Sequence, residues 1–232
     1  MSVTFRHDMR VDLVDFMGGD DRVAQAARVS TKGSGSDRET AQPGFIDFLV
    51  RNRHSVPFEH SVFTFRIECP IFVSREIVKH RLTSISEISG RYTILPSDFY
   101  VPAGDRPLVQ VGKTGDYRFE QGSAEQREMT RRRMESAATY AHGDYCDLLD
   151  AGIAKEVARM VLPVSTYTSM VVTLNARSLT NFLSLRVRDE SAAVPSFAMS
   201  EIDQVAREME EHFRDQMPLT CNAWLDNGRR PL

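Results

Sequence analysis

Between Val62 and Cys69 the chain alternates with a period of two: Phe63, Phe65, Ile67 and Cys69 fall on one side, Val62, Thr64, Arg66 and Glu68 on the other. Extended backbone puts successive side chains on opposite faces, so this run predicts a half-buried strand whose aromatic face enters a core. Pro70 follows at once and predicts a helix from there to about His80, since proline is tolerated in a first helical turn. The chain is therefore committed to packing helices against a sheet.

The surrounding sequence extends that pattern. Val11–Phe16 reads as a strand, Gly18-Gly19-Asp20 breaks it, and Asp20 is placed to cap a helix running to about Val29. Thr31–Asp37, rich in Gly and Ser, reads as a mobile loop, and Pro43 opens a helix whose apolar face carries Phe45, Phe48 and Leu49. Residues 82–117, with Pro96, Pro102 and Pro107, read as irregular or extended. Helices are expected at about Phe119–Asp150, Ala154–Leu162, Ser178–Leu185 and Ser196–Gln216, with a β-branched strand at Tyr167–Leu174. Strands and helices mix without βαβ regularity, so the expected class is α+β in one domain spanning residues 1–232. No GxGxxG follows a strand, which leaves a Rossmann dinucleotide site without support.

Composition narrows the function classes. The 232 residues are 41% hydrophobic and 26% charged, enough for one domain with a substantial core. A formal net charge of −3 speaks against a general nucleic-acid binder, so any bound anion is held by local arginines and lysines. No apolar run approaches the roughly 20 residues that span a bilayer, and Met1 to Arg10 has no apolar signal core. The expectation is a cytoplasmic protein with neither membrane nor nucleic-acid partner. Cys69, Cys146 and Cys221 lie far apart without CxxC spacing and read as reduced thiols.

Three stretches look chemical. Arg75 and Lys79 are four residues apart on the expected helix, a like-charge pair that Glu76 softens by reaching Lys79 or His80. After them come Arg81, Thr83, Ser84, Ser86, Glu87, Ser89, Gly90 and Arg91, a supply of guanidinium forks and hydroxyls suited to phosphate oxygens. A solvated helix end followed by a polar loop accounts for the same composition. In Asn175–Arg186, Leu179, Phe182 and Leu183 define an apolar face on which the next position is Arg186. An arginine there needs a carboxylate or a ligand, unless the helix ends and the side chain reaches water. Arg159 alone is an ordinary helical arginine. His54-Ser55-Val56-Pro57-Phe58-Glu59-His60 offers two imidazoles and a carboxylate, but the spacing fits no standard zinc motif, and no metal is expected. Arg131-Arg132-Arg133, among Glu128 and Glu135, reads as a solvated helix face.

Lys79–Arg91 resembles the signature RHRxxSxxxxSxR of the flavin-dependent thymidylate synthase (ThyX) family, matching it at His80, Arg81, Ser84, Glu87, Ser89 and Arg91. The likeness continues in order through Pro57-Phe58-Glu59-His60, Arg159 with Val161-Leu162-Pro163, and Asn175-Ala176-Arg177-Ser178 with Asn181 and Arg186. Val194-Pro195-Ser196-Phe197 and Met217-Pro218-Leu219-Thr220 resemble actinobacterial members. The resemblance implies a mixed or antiparallel sheet with several long helices, assembled as a homotetramer with shared active sites. It implies FAD on His54, Val56, Glu59, Lys79, His80, Arg81, Glu87, Asn175, Arg177 and Asn181. It implies a nucleotide on Glu76, Lys79, Glu87, Ser89, Gly90, Arg91 and Arg159, with Arg186 facing the pyrimidine as the catalytic residue.

The activity implied is methylation of uracil C5, dUMP to dTMP, with methylene-tetrahydrofolate giving the carbon, NADPH reducing the flavin, and hydride replacing a cysteine nucleophile. None of the three cysteines is suited to that nucleophilic role: Cys69 shares the Phe63/Phe65 face, Cys146 lies within a long helix, and Cys221 is near the C-terminus. Two positions depart from the signature. Lys79 stands for its opening arginine and loses the bidentate fork, and Ser86 stands where many members have asparagine. Both put the substrate in question, since ThyX-like enzymes of nucleoside-antibiotic pathways methylate UMP as well as dUMP. Transfer of a hydroxymethyl group and a non-catalytic nucleotide-binding domain are the other readings.

Overall fold

The computed structural model describes residues 2–113 and 116–232. Along the chain run β1 (Thr4–Arg6), β2 (Arg10–Met17), α1 (Asp20–Lys32), α2 (Pro43–Arg51), β3 (Val62–Pro70), α3 (Ile71–Ile77) and β4 (Ser84–Glu87). Then come β5 (Asp98–Tyr100), β6 (Val109–Lys113), β7 (Asp116–Glu120), α4 (Ala124–Asp150), α5 (Lys155–Ala158), β8 (Tyr167–Asn175), α6 (Ala176–Arg186), α7 (Ser200–Gln216) and α8 (Pro218–Asp226). The architecture is α+β, and the chain divides into two compact units.

The larger unit comprises Met9–Glu68, Arg75–Glu87 and Ser169–Leu232. Its sheet has the order β2-β3-β8-β4, with β2 antiparallel to β3 and β4 antiparallel to β8. The alternation that opened the sequence reading is realised: Phe63, Phe65 and Ile67 are wholly buried. Phe63 meets Phe16 at 4.7 Å and Phe213 of α7 at 6.0 Å, and Phe213 meets Trp224 of α8 at 6.2 Å. Offset and edge-on ring pairs of this kind add to the area they remove from water. Leu179, Phe182 and Leu183 bury the apolar face of α6 as their spacing predicts.

The smaller unit comprises Met1–Asp8, Cys69–Ser74 and Ile88–Thr168. It holds the parallel pair β1/β5, the antiparallel pair β6/β7 and the long α4. Ala138, His142 and Tyr145 of α4 are buried; His142 meets Phe99 edge-on at 6.0 Å, and the Tyr145 hydroxyl accepts from Leu95 N at 3.2 Å.

Several boundaries differ from expectation. Asp20 does not cap its own helix; its carboxylate accepts from Leu219 N (2.9 Å), Thr220 N (3.0 Å) and the Thr220 hydroxyl (2.6 Å). It thereby satisfies orphan donors of α8, a helix the sequence reading did not include although Pro218 is a first-turn signal. Thr31–Asp37 is not a loop: α1 continues to Lys32 and a 3-10 helix covers Gly33–Arg38. On α2 the buried face is Ile46, Leu49 and Val50, while Phe45 lies beneath the Arg28 guanidinium and Phe48 is exposed.

Residues 82–117, expected to be irregular or extended, contain the short strands β4, β5, β6 and the start of β7; 114 and 115 lie outside the described residues. The long helix starts at Ala124 rather than Phe119, because a reciprocal capping box of Ser123 and Gln126 sets its N-terminus. Its predecessor Phe119 belongs to β7. Likewise α7 starts at Ser200 rather than Ser196.

Candidate active site

The helix after β3 is shorter than its sequence suggests. α3 ends at Ile77, a turn over residues 78 and 79 closes with His80 N donating to Ile77 O at 3.0 Å, and the chain enters β4. Lys79 is thus not helical and does not form the expected four-residue pair with Arg75. Lys79 and Arg81 are exposed and without a side-chain partner among the described residues. Both charges stand free at the mouth of the turn.

Glu76 has a different partner from the one expected. Its carboxylate lies 3.0 Å from Arg186 Nη1, and Arg186 Nη2 donates to the Glu76 carbonyl at 3.4 Å. Arg186 is the last residue of α6, so both helix end and carboxylate meet its needs, and its side chain stays 22% exposed. An aimed guanidinium with donors left over is what a developing negative charge requires.

Around the other end of α6 the geometry is tighter. Asn175 is the N-cap, its Oδ1 accepting from Ser178 N at 2.8 Å, as asparagine does at helix starts. Arg177 reaches Glu59 at 2.5 Å through Nη1, and its Nε donates to Leu232 O at 3.1 Å. Glu59 lies in a 3-10 helix, Val56–His60; Val56 is largely exposed, and His54 just before it stacks on Phe48 with ring centroids 5.6 Å apart. His80 Nε2 is 2.8 Å from Ser178 Oγ, and the Phe182 ring stands edge-on to the imidazole at 5.6 Å. Burial, helped by the charge of Arg186, holds the His80 pKa below the usual imidazole value.

Asn181, one turn along α6 from Arg177, has a buried Oδ1 with no hydrogen-bond partner among the described residues. Buried polar atoms are rarely left so, and each one asks for an explanation. Glu87 ends β4 at the sheet edge, paired in register with Met170 of β8. The larger unit therefore gathers His54, Val56, Glu59, Glu76, Lys79, His80, Arg81, Glu87, Asn175, Arg177, Asn181 and Arg186. Their donor set and orphaned acceptor fit a polar cofactor such as FAD.

The smaller unit carries Ser89, Gly90, Arg91 and Arg159. Ser89 makes a turn, its carbonyl accepting from Tyr92 N (3.0 Å) and Thr93 N (3.1 Å) and its hydroxyl from Arg91 N (3.3 Å). Gly90 is buried beneath the stem of Arg159: a Cβ there would stand 2.9 Å from Arg159 Cδ and 2.9 Å from Leu95 Cδ1. Only glycine lets that arginine lie so close to the turn. Arg91 is paired with Glu156 at 3.0 Å, a partner the sequence reading did not single out, with both side chains about half exposed. An exposed pair of this kind contributes about 1 kcal/mol or less, so it holds Arg91 only weakly. Arg159 opens a 3-10 turn after α5 rather than sitting inside a helix, and its guanidinium has no ion-pair partner among the described residues.

The cysteines are not among these residues. Cys69 and Cys221 are wholly buried, and burial pushes the Cys221 thiol up to about 11. Cys146 sits on α4 with its sulfur 3.8 Å from the His142 ring. Arg131 is held by Glu128 and Glu135 on an exposed face of α4, as its spacing predicts. Among the described residues no helix is long and apolar enough to cross a membrane.

Ser178 and Leu232 are the site neighbours that carried no assigned role in the sequence. Ser178 lies inside a quoted motif, but nothing in its spacing distinguishes a hydrogen-bond relay from a helix-start serine.

The chain is similar to known proteins along nearly its whole length. The family model described as thymidylate synthase complementing protein matches residues 12–219. A flavin-dependent thymidylate synthase of Streptomyces avermitilis is 47% identical over 233 positions, covering 97% of this chain and 94% of the relative. One of Tropheryma whipplei is 44% identical, covering 99% and 97%. Among solved structures, the UMP/dUMP methylase PolB of Streptomyces cacaoi bound with 5-Br UMP superposes with a TM-score of 0.92 at 43% identity, covering 99% of both chains. The same methylase bound with 5-Br dUMP gives 0.94 at 42% identity, covering 99% of this chain and 100% of that one. The chain belongs to the flavin-dependent thymidylate synthase family and is an enzyme of that type.

Proposed function

We propose that residues 1–232 act as one functional domain that binds FAD and methylates C5 of uracil in a nucleoside monophosphate. The overall reaction is dUMP + methylene-tetrahydrofolate + NADPH + H⁺ giving dTMP + tetrahydrofolate + NADP⁺. The observation that carries the reading is the buried, unpartnered Asn181 Oδ1 on the helix that ends in the carboxylate-aimed Arg186. A helix built this way asks for one ligand along its length and offers charge stabilisation at its end.

His54, Val56, Glu59, Lys79, His80, Arg81, Glu87, Asn175, Arg177 and Asn181 would hold the flavin. A flavin supplies hydride chemistry, which relieves the protein of the need for a thiolate at C6. The protein binds and orients. Glu76 aims the Arg186 guanidinium, which stabilises negative charge developing on the uracil N3/O4 side. Lys79, Glu87, the Ser89–Gly90–Arg91 turn and Arg159 serve the nucleotide, with donors and point charge for its phosphate. Cys69 and Cys221 are buried, and the partly exposed Cys146 lies on α4 beside His142 and not among the flavin-binding residues, so none is offered as the thiolate of the alternative route.

UMP as a second substrate is favoured by the close superposition on a methylase of both nucleotides. Lys79, with no fork and no partner in the turn, is the residue whose contact with the nucleotide differs from the family signature. We further infer a homotetramer acting in the cytoplasm, which light scattering and cell fractionation test directly. The deciding experiment supplies purified protein with FAD, NADPH and methylene-tetrahydrofolate, offers dUMP or UMP, and weighs the product. A gain of one methyl on either nucleotide supports the reading, a hydroxymethyl product revises the group transferred, and a protein that stays colourless with added FAD sinks it.

A further inference from the structure

His80 and Ser178 are linked by more than proximity. Ser178 lies in the first turn of α6, 2% exposed, with its Oγ 2.8 Å from His80 Nε2 and 2.6 Å from the Leu82 carbonyl oxygen. A hydroxyl has one proton, and a carbonyl oxygen only accepts. If that proton turned toward His80, the Ser178 and Leu82 oxygens would face each other at 2.6 Å with nothing between them. The proton therefore goes to Leu82, Ser178 Oγ accepts from the imidazole, and His80 Nε2 is the nitrogen that carries hydrogen.

The other nitrogen follows. In the neutral ring Nδ1 keeps its lone pair, and it has no partner among the described residues. A second proton is opposed by burial and by the Arg186 charge, which together outweigh the hydrogen bond to Ser178 that favours it. On the same stretch of α6, between Ser178 and Phe182, Asn181 Oδ1 is a second acceptor without a donor.

We propose that Ser178 is a positioning residue that locks His80 in its Nε2–H tautomer, so that His80 Nδ1 and Asn181 Oδ1 present two acceptors to N–H or O–H donors of the flavin. This rests on the reading that flavin binds here, and it specifies what part of the flavin: an imide N–H or hydroxyls, not a phosphate. The larger unit thus separates its tasks, with acceptors on α6 and on His80 for donors and the cations Lys79 and Arg81 for anions.

The test begins with flavin-free protein. Long-range ¹H–¹⁵N spectra at neutral pH, assigned by loss of signal in His80→Gln, are expected to show Nε2 protonated and Nδ1 bare. A protonated Nδ1, alone or in an imidazolium, overturns the proposal. Ser178→Ala is expected to give mixed tautomers and FAD affinity weaker by roughly 3- to 10-fold, the range for one lost hydrogen bond. Ser178→Thr, which keeps the hydroxyl, is expected to restore both. His80→Gln places an amide N–H where Nε2 was and no acceptor where Nδ1 was, so it should fold normally by thermal melt yet bind FAD comparably weakly. An unchanged tautomer with unchanged FAD affinity in a folded Ser178→Ala overturns the proposal. Wild-type protein that shows the Nε2–H tautomer but binds no FAD overturns the flavin assignment instead.

Discussion

Replacing Arg186 with alanine separates what this side chain does for the fold from what the proposed reaction asks of it. In the fold it is paired with Glu76, itself 40% exposed, so the carboxylate left behind stays hydrated. A partly exposed pair contributes about 1 kcal/mol or less. The largely covered arginine stem is assigned about 1 kcal/mol of packing. For a chain of this size each kcal/mol moves the melting temperature by roughly 2–4 °C, so the melt should fall by no more than about 8 °C. For the reaction the expectation is far larger. Removing one donor aimed at developing charge costs about 10²–10³ in kcat. The assay compares turnover of dUMP with flavin content, read from visible absorbance, and with the melt. Turnover within threefold of wild type would return Arg186 to a helix end that pairs with Glu76 and nothing more. A melt lowered by 20 °C or more would show that the exposure-based estimate of the pair is wrong.

Gly90→Ala puts a methyl 2.9 Å from Arg159 Cδ, so it should raise the nucleotide KM about tenfold or more while leaving flavin absorbance unchanged; an unaltered KM would remove the Gly90–Arg159 approach from nucleotide binding. Arg229 is buried with Nη1 and Nη2 each 2.7 Å from Glu210 and Nε 2.7 Å from Asp189, so Arg229→Met leaves the buried Glu210 carboxylate only the 3.4 Å contact of Arg214 and should cost about 3 kcal/mol, a fall of about 6–12 °C by calorimetry. Cys221→Ala should keep turnover within about twofold, because a thiol pushed up to about 11 is not a nucleophile at neutral pH; a hundredfold loss in a folded, flavin-loaded variant would contradict the cysteine-free route.

His80 makes stability depend on pH. Its folded value lies below the unfolded one of ~6.5, so the folded state binds fewer protons; stability is full above that value and is lost as pH falls through His80's lowered pKa. His142, buried on α4, has the same sign. A melting temperature that rises on acidification from pH 7 to 5 would refute the burial argument. FAD affinity should fall over the same acid range, where Nδ1 gains a proton.

Much of the candidate site was legible as residue types in order, and little of it as geometry. The period-two run of β3 and the i, i+3, i+4 face of α6 reflect the backbone's own repeats, and the structure buries the predicted side chains. Arg186 stood out because it broke such a repeat. The motif residues were equally visible, since particular donors in a fixed order carry chemical meaning before they are folded.

What the sequence by itself determined, then, was periodicity: which faces are apolar, where strands and helices alternate, and which polar residues interrupt them. The tertiary structure alone decided the partners. Glu76 belongs to Arg186, 110 residues away, and not to its neighbour Lys79. Asp20 caps α8 from 200 residues away, and Ser178 finds Leu82 and His80 from 96 and 98. The reason is physical. Local propensity depends on residues within a turn or two, whereas hydrogen bonds and ion pairs are made at about 3 Å between atoms that only the folded path of the chain brings together.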